Sequence, residues 1–343
     1  MIPDWQDFLA SRGARIDAGC VTDFGAANEE LAEATHATIL TDLSPLGLLA
    51  FRGEDTASFL QGQLTNDIRV LETDGAQLSA YCSPKGRMLG NFLLWRDGED
   101  ICLQCSGDIR DMLLKRLKMF IMRSKLVARD ASEERVRLLI AGAQAHEAVQ
   151  SALGVLPAGP MRCLSAGNCR IIRLAADACV LTLPPADAPT LWAALAAQAR
   201  EVGTPVWDWL RIRHGIPMIT QPTVEAFVPH MVNYEAIDGV SFKKGCYPGQ
   251  EIVARTQYLG KTKRRMFLAH LDAASTPAAG DPLYTADPEH QTSGQIVNAA
   301  AAPAGGYDLL AVLPLDSAQH QTIHWQSPDG PQLTLLPLPY ALP

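Results

Sequence analysis

Apolar and polar positions fall into short, regular runs from about Thr35 onward, and the runs predict strands at 39–43 and 47–51. Asp55 then predicts the N-cap of a helix running through Phe59 and Leu60 to Leu64. Strands follow at 76–82 and 88–95, around the turn Ser83-Pro84-Lys85-Gly86, and 101–105 pairs back after Asp97-Gly98. Asp108 marks the cap of an amphipathic helix whose apolar stripe is Met112, Leu113, Leu117 and Phe120. Next come a strand at 136–141, a helix at 144–153, strands at 170–174 and 179–183, and helices over 188–202 and 206–214. Hairpins between the strands favour an α+β sheet with helices on one face over a doubly wound parallel sheet. The texture changes after Leu271. Residues 272–281 are rich in Ala, Ser, Pro and Gly, as a linker or long loop is. Strands at 294–298, 309–313, 321–325 and 332–336, with no helix-period segment among them, predict a small β-barrel or sandwich.

Composition bounds this picture. A chain of 343 residues, 48% hydrophobic and 19% charged, has material for two or three buried cores. No apolar run approaches the ~20 residues that span a bilayer, and the start lacks a signal-peptide pattern, so a cytoplasmic protein without a membrane partner is expected. The 8 cysteines are scattered, which fits reduced thiols. A net charge of −8 argues against broad nucleic-acid binding, and no stable nucleic-acid partner is expected.

The densest chemistry lies at 241–265. Cys246 is in a Gly- and Lys-rich loop just before a predicted helix starting at Gln250. Gly245 permits unusual backbone angles there, and Pro248-Gly249 reads as a turn. Backbone N–H groups at a helix start favour negative charge, and Lys243 and Lys244 add cations, so the thiolate fraction should rise. Such a thiolate can attack an electrophile, bind a metal or form a mixed disulfide; the bland reading is a small buried hydrophobe. The run Lys261-Thr262-Lys263-Arg264-Arg265 can hold a polyanion, although a solvated edge is the commoner use of such a run. Cys102 and Cys105 have metal-ligand spacing, but in a strand they point to opposite faces, so no metal site is expected. Trp207 and Trp209 offer either a stacking wall for a flat heterocycle or core packing. His214, near a helix end, reads as a dipole partner.

These residues also carry a resemblance. GVSFKKGCYPGQEIVAR at 239–255 resembles the YgfZ-family signature K-G-C-[FY]-x-G-Q-E-x-x-A-R. FLQGQLTND at 59–67 resembles the N-terminal motif of the wider aminomethyltransferase, GcvT-like superfamily. Residues 207–219 resemble the helix and GIP turn that precede the signature, and LPLPY at 336–340 resembles the family's C-terminal end. The resemblance implies an α+β fold of three domains in a ring around a folate channel, one ferredoxin-like and the last a β-barrel. On this sequence that places a helical extension at 1–34, a folate-binding body of two interleaved domains at 35–265, and the barrel at 266–343. It implies a tetrahydrofolate-dependent accessory role in assembly or repair of iron–sulfur clusters, indirectly supporting tRNA modification. Cluster scaffold or carrier proteins and client cluster enzymes would be the partners. Cys246 would act as the reactive thiol or a transient cluster ligand. Trp207, Asn66, Asn91, Arg255, Lys244, Tyr247, Gln250 and Glu251 would contact tetrahydrofolate or a derivative.

Three positions depart from the family pattern. Asn91 stands where aminomethyl-transferring members carry an acid, and asparagine cannot serve as a carboxylate base. Arg213 replaces a pterin-binding glutamate of many relatives, and Leu46 replaces a tryptophan. An accessory role is therefore favoured over two alternatives: a folate-dependent one-carbon transferase, and a non-catalytic protein binding RNA or a partner through 261–265.

Overall fold

A computed structural model describes every residue except 176, 259–261, 286–293 and 343. The chain divides into two compact units. The first comprises Met1–Ala57, Arg69–Gln77 and Leu93–Trp207, the second Ser58–Ile68, Leu78–Phe92 and Asp208–Pro343.

In the first unit a six-stranded sheet runs in the order Arg162–Ala166, Cys169–Ala175, Ala178–Leu183, Val136–Ala141, Ile39–Asp42, Arg200–Glu201. Neighbours are antiparallel except the last pair, which is parallel. Leu138, Ile140, Ile171 and Leu181 pack with Ala148 and Val149 of the helix Ala145–Leu153 and with Leu191, Trp192 and Leu195 of the helix Ala188–Ala196. Full burial of side chains of this size stabilises by about 1.5–3 kcal/mol each. Trp5 and Leu9 of the first helix, Pro3–Ser11, complete this core. The Trp5 indole N–H donates to Asp42 Oδ1 at 2.8 Å, and burial pushes the Asp42 carboxyl pKa up. The first 34 residues are not helical throughout: a hairpin, Arg15–Asp17 with Cys20–Asp23, separates Pro3–Ser11 from the helix Ala27–Glu33.

A five-stranded sheet has the order Ala76–Cys82, Met88–Asp97, Asp100–Ser106, Leu46–Arg52, Val127–Asp130. The helix Arg110–Ile121 buries Leu113 and Leu117, but Phe120, expected on the apolar stripe, is exposed. Asp108 does not cap this helix. It sits in the 3₁₀ turn Gly107–Ile109 and accepts a hydrogen bond from Ser106 Oγ, and the helix begins without a side-chain cap. The single helix expected over 188–202 stops at Ala196, and Arg200–Glu201 becomes a strand because Ile39–Leu40 offers it an open parallel edge.

The second unit holds a curled six-stranded antiparallel sheet in the order Ile323–Trp325, Pro282–Thr285, Gly294–Ala301, Tyr307–Pro314, Arg264–Leu271, Leu333–Leu336. An isolated bridge links His324 of one outer strand to Gln332, the residue before the other. Leu271, Leu283, Ile296, Leu309, Leu313 and Trp325 fill its interior. A short helix, Leu315–His320, interrupts the strands against expectation; at six residues it is too short to show a helical period. Among the described residues, no helix is long and apolar enough to cross a membrane.

Candidate functional site around Cys246

The loop 241–249 leads into the helix Gln250–Tyr258, which buries Val253 and begins where Gln250 N–H bonds Tyr247 O at 3.1 Å. A second turn, 83–86, backs directly onto this loop. Gly249 has φ +79°, and a Cβ there would lie 2.5 Å from both Gly86 Cα and Ser83 O. Gly86 has φ +71°, and its Cβ would come within 2.9 Å of Ile252 Cβ. Two main chains in contact leave no room for a side chain, so both positions require glycine. The glycine expected to carry the unusual angles, Gly245, has open space around its Cβ position and is not among the positive-φ residues.

Lys244 departs from its expected place beside the thiol. Its side chain is buried, and its ammonium donates to Gln61 O at 2.5 Å and to Leu64 O. Those carbonyls lie at and just beyond the end of the helix Thr56–Gln61, where backbone acceptors lack helical partners and a cation is favoured. The same ammonium lies 4.9 Å from the centroid of the buried Tyr247 ring, a cation–π contact, and burial pushes the Tyr247 hydroxyl pKa up. Gln250 Nε2 adds a hydrogen bond to Lys244 O at 3.3 Å. Lys244, Tyr247 and Gln250 thus moor the loop, while Lys243, Gly245 and Cys246 face solvent. Cys246 is the exposed cysteine of the chain. Burial pushes Cys82, Cys102, Cys105, Cys169 and Cys179 up to about 12 and Cys163 up to about 11, which keeps those thiols protonated. Among the described residues no cluster of three or more His, Cys, Asp or Glu side chains is placed to hold a metal ion.

The remaining candidates separate. Glu251 and Arg255 are exposed on the helix that follows Cys246. Asn66 spends its amide on structure: Nδ2 donates to Leu78 O and Asp238 O, and Oδ1 accepts from Asp67 N–H. Asn91 is buried in the same way, donating to Pro217 O and accepting from Ile219 N–H at 2.8 Å each, so it holds the GIP turn in place. Trp207 belongs to the first unit; it is buried, and its indole N–H has no partner. Trp209 instead donates to Asp308 Oδ2 at 2.9 Å, and Arg213 pairs with the same oxygen at 3.6 Å. His214 Nδ1 bonds Leu210 O at 2.7 Å, as a helix-end partner does. Leu46 is a buried strand residue.

The basic run does not act as one patch. Lys261 lies outside the described residues, Lys263 and Arg264 are exposed, and Arg265 is buried in an ion pair with Glu235. Sequence reasoning missed Arg211, a buried guanidinium that donates to Ile216 O and Asn298 Oδ1 beside the same GIP turn. Its place between Leu210 and Ile212 was the one available signal.

Comparison with known proteins decides the family. The model of the GCVT N-terminal domain matches residues 20–237. The tRNA-modifying protein YgfZ of Sodalis glossinidius (strain morsitans) is 32% identical over 306 residues, 88% of this chain and 93% of the relative. The chain belongs to the YgfZ family. YgfZ of Escherichia coli O127:H6 is similar at 31% over 308 residues, 89% of this chain and 94% of that protein. Among solved structures, the glycine cleavage system aminomethyltransferase T from Bartonella henselae superposes with a TM-score of 0.77, covering 97% of this chain and 96% of its own at 18% identity. That likeness establishes a GcvT-like fold for this YgfZ-family chain.

Proposed function

We propose that this YgfZ-family protein is a folate-dependent accessory factor for assembly or repair of iron–sulfur clusters in client enzymes, indirectly supporting tRNA modification, with Cys246 as its working group. The observation that carries this reading is the contrast among the thiols: Cys246 is exposed on a loop moored by Lys244, Tyr247 and Gly249, and six others are buried. A moored, exposed thiol can receive or pass a cluster or a sulfur electrophile without first unfolding its surroundings. Cluster carriers and client enzymes are the proposed partners, in the cytoplasm. The three-domain ring with a ferredoxin-like domain and a closed C-terminal barrel belongs to the same proposal.

Tetrahydrofolate or a derivative fits one feature of the residues present. The buried Trp207 indole N–H lacks an acceptor, and a pterin oxygen or nitrogen lying in the indole plane would satisfy it. When bound, tetrahydrofolate supplies a carrier for one-carbon units. Asn91 tells against a one-carbon transferase, because an amide engaged with Pro217 O and Ile219 N–H neither ionises nor turns freely. Burial of Arg265 against Glu235 tells against an RNA-binding stripe.

The test is complementation of a deletion strain, read as activity of a cluster-dependent tRNA-thiolating enzyme. Cys246→Ser and Cys246→Ala should fail, and full rescue by the serine variant would remove the thiol from the mechanism. Tetrahydrofolate binding to the purified protein should weaken in Trp207→Ala; absence of binding to the parent protein would remove the folate half.

A further inference from the structure

The helix Arg110–Ile121 ends in a tip that the function above does not use. Leu113 and Leu117 are buried, whereas Met119 is 61%, Phe120 48% and Met122 87% exposed, and Val127, opening the next strand, is 65% exposed. Met122 has φ 45° and ψ −104°, a conformation that L side chains rarely adopt outside glycine. The turn around it is held firmly: Ser124 N–H bonds Ile121 O at 2.8 Å, Leu126 N–H bonds Ser124 O at 2.9 Å, and Lys125 N–H bonds Asp55 Oδ2 at 2.7 Å. The strain displays a thioether to solvent and brings it no packing in exchange.

Charge gathers around the same tip. Lys115, Arg116, Lys118, Arg123 and Lys125 fall in a stretch, 112–129, that contains no acidic residue, in a chain whose net charge is −8. Lys125 pairs with Glu54. Lys115, Lys118 and Arg123 have no ion-pair partner among the described residues.

We propose that this tip docks an acidic protein partner, with Met122 and Phe120 entering an apolar pocket and Lys118 and Arg123 meeting carboxylates at its rim. Charge complementarity names the partner's sign, and the four exposed apolar side chains name its centre. Methionine and phenylalanine are side chains that protein interfaces concentrate, and a flexible thioether adapts to a pocket it did not shape. A phosphate backbone would leave the apolar residues stranded in water. An anionic bilayer would repel the acidic remainder of the chain, whereas a protein can present carboxylates to the tip alone. The proposal is independent of Cys246.

The experiment places the photo-crosslinking residue p-benzoylphenylalanine at position 122 of the full chain in its source cells, with Tyr258, another exposed site, as the control position. The expected result is an adduct of one protein from position 122 and not from 258. That protein, purified, should be acidic and bind the full chain in a salt-sensitive manner. Affinity should fall at least tenfold in Met122→Asp and in the Lys118→Glu, Arg123→Glu double variant. Met122→Gly separates fold from docking: it relieves the positive φ, so stability holds or rises while affinity drops. The proposal is overturned by no adduct at 122, by the same adduct at 258, or by an adduct with RNA, lipid or a second copy of this chain. Unchanged affinity in Met122→Asp and Met122→Gly would overturn it equally.

Discussion

Replacing Lys244 with methionine keeps most of the stem's volume and removes the ammonium. The loss falls on two backbone carbonyls, Gln61 O and Leu64 O, which lose a charged donor in a buried setting. Hydrogen bonds to charged groups are worth about 1.5–3 kcal/mol each, so the gross loss is roughly 3–6 kcal/mol. Against this, the variant no longer has to desolvate an ammonium, a cost of several kcal/mol in a buried site. The net expectation is a destabilisation of about 2 kcal/mol, read as a lower urea midpoint with unchanged slope by tryptophan fluorescence. Lys243→Met, at an exposed neighbour, should stay within about 0.5 kcal/mol of the parent. The second assay is the alkylation rate of Cys246 by iodoacetamide. If Lys244 moors the loop, its loss costs stability and loosens the thiol. A Lys244→Met protein as stable as the parent but with a slower-reacting thiol would refute the mooring argument and restore Lys244 as the charge beside Cys246.

Four further outcomes follow from the geometry. Gly249→Ala introduces a Cβ 2.5 Å from Gly86 Cα at a positive φ, and should cost about 2–4 kcal/mol by chemical denaturation, whereas Gly245→Ala should cost under about 1 kcal/mol. One equivalent of thiol reagent should label Cys246 in the native protein, by peptide mass mapping, with the six buried cysteines reacting only after denaturant is added. Burial lowers the pKa of His230 below its ordinary value, so as pH falls through about 6.5 the unfolded chain takes up a proton that the folded chain refuses. Stability contributed by neutral His230 is therefore present above that pH and lost below it, and His230→Gln should flatten the change in urea midpoint between about pH 5 and 7. Asn91→Leu removes the acceptor of Ile219 N–H and the donor to Pro217 O in a buried place, and should lower stability by about 2 kcal/mol; a neutral result would show the GIP turn held by other contacts.

Local pattern determined much of this protein. A short, nearly continuous apolar run placed the strand Val136–Ala141 to the residue, and the run 239–255 named both the family and the loop that carries Cys246, because each signal is written in neighbouring positions. What failed locally had distant causes. Arg200–Glu201 is a strand only because Ile39–Leu40 leaves a parallel edge open more than 150 residues earlier, and helix propensity yields to that pairing. The first helix joins the core through Trp5 and Asp42, a contact without local pattern. Within the site, sequence put two lysines beside a thiol and could not say which way either pointed. Tertiary structure turned Lys244 inward because the carbonyls at the end of the helix Thr56–Gln61, where helical partners run out, accept its ammonium, and it left Cys246 outside. It also moved the glycine requirement from Gly245 to Gly249, where another turn's main chain occupies the space a side chain would need. Residue type and spacing thus chose the chemistry. The direction of each side chain was decided by which unsatisfied backbone groups and which empty volumes the rest of the chain brought alongside.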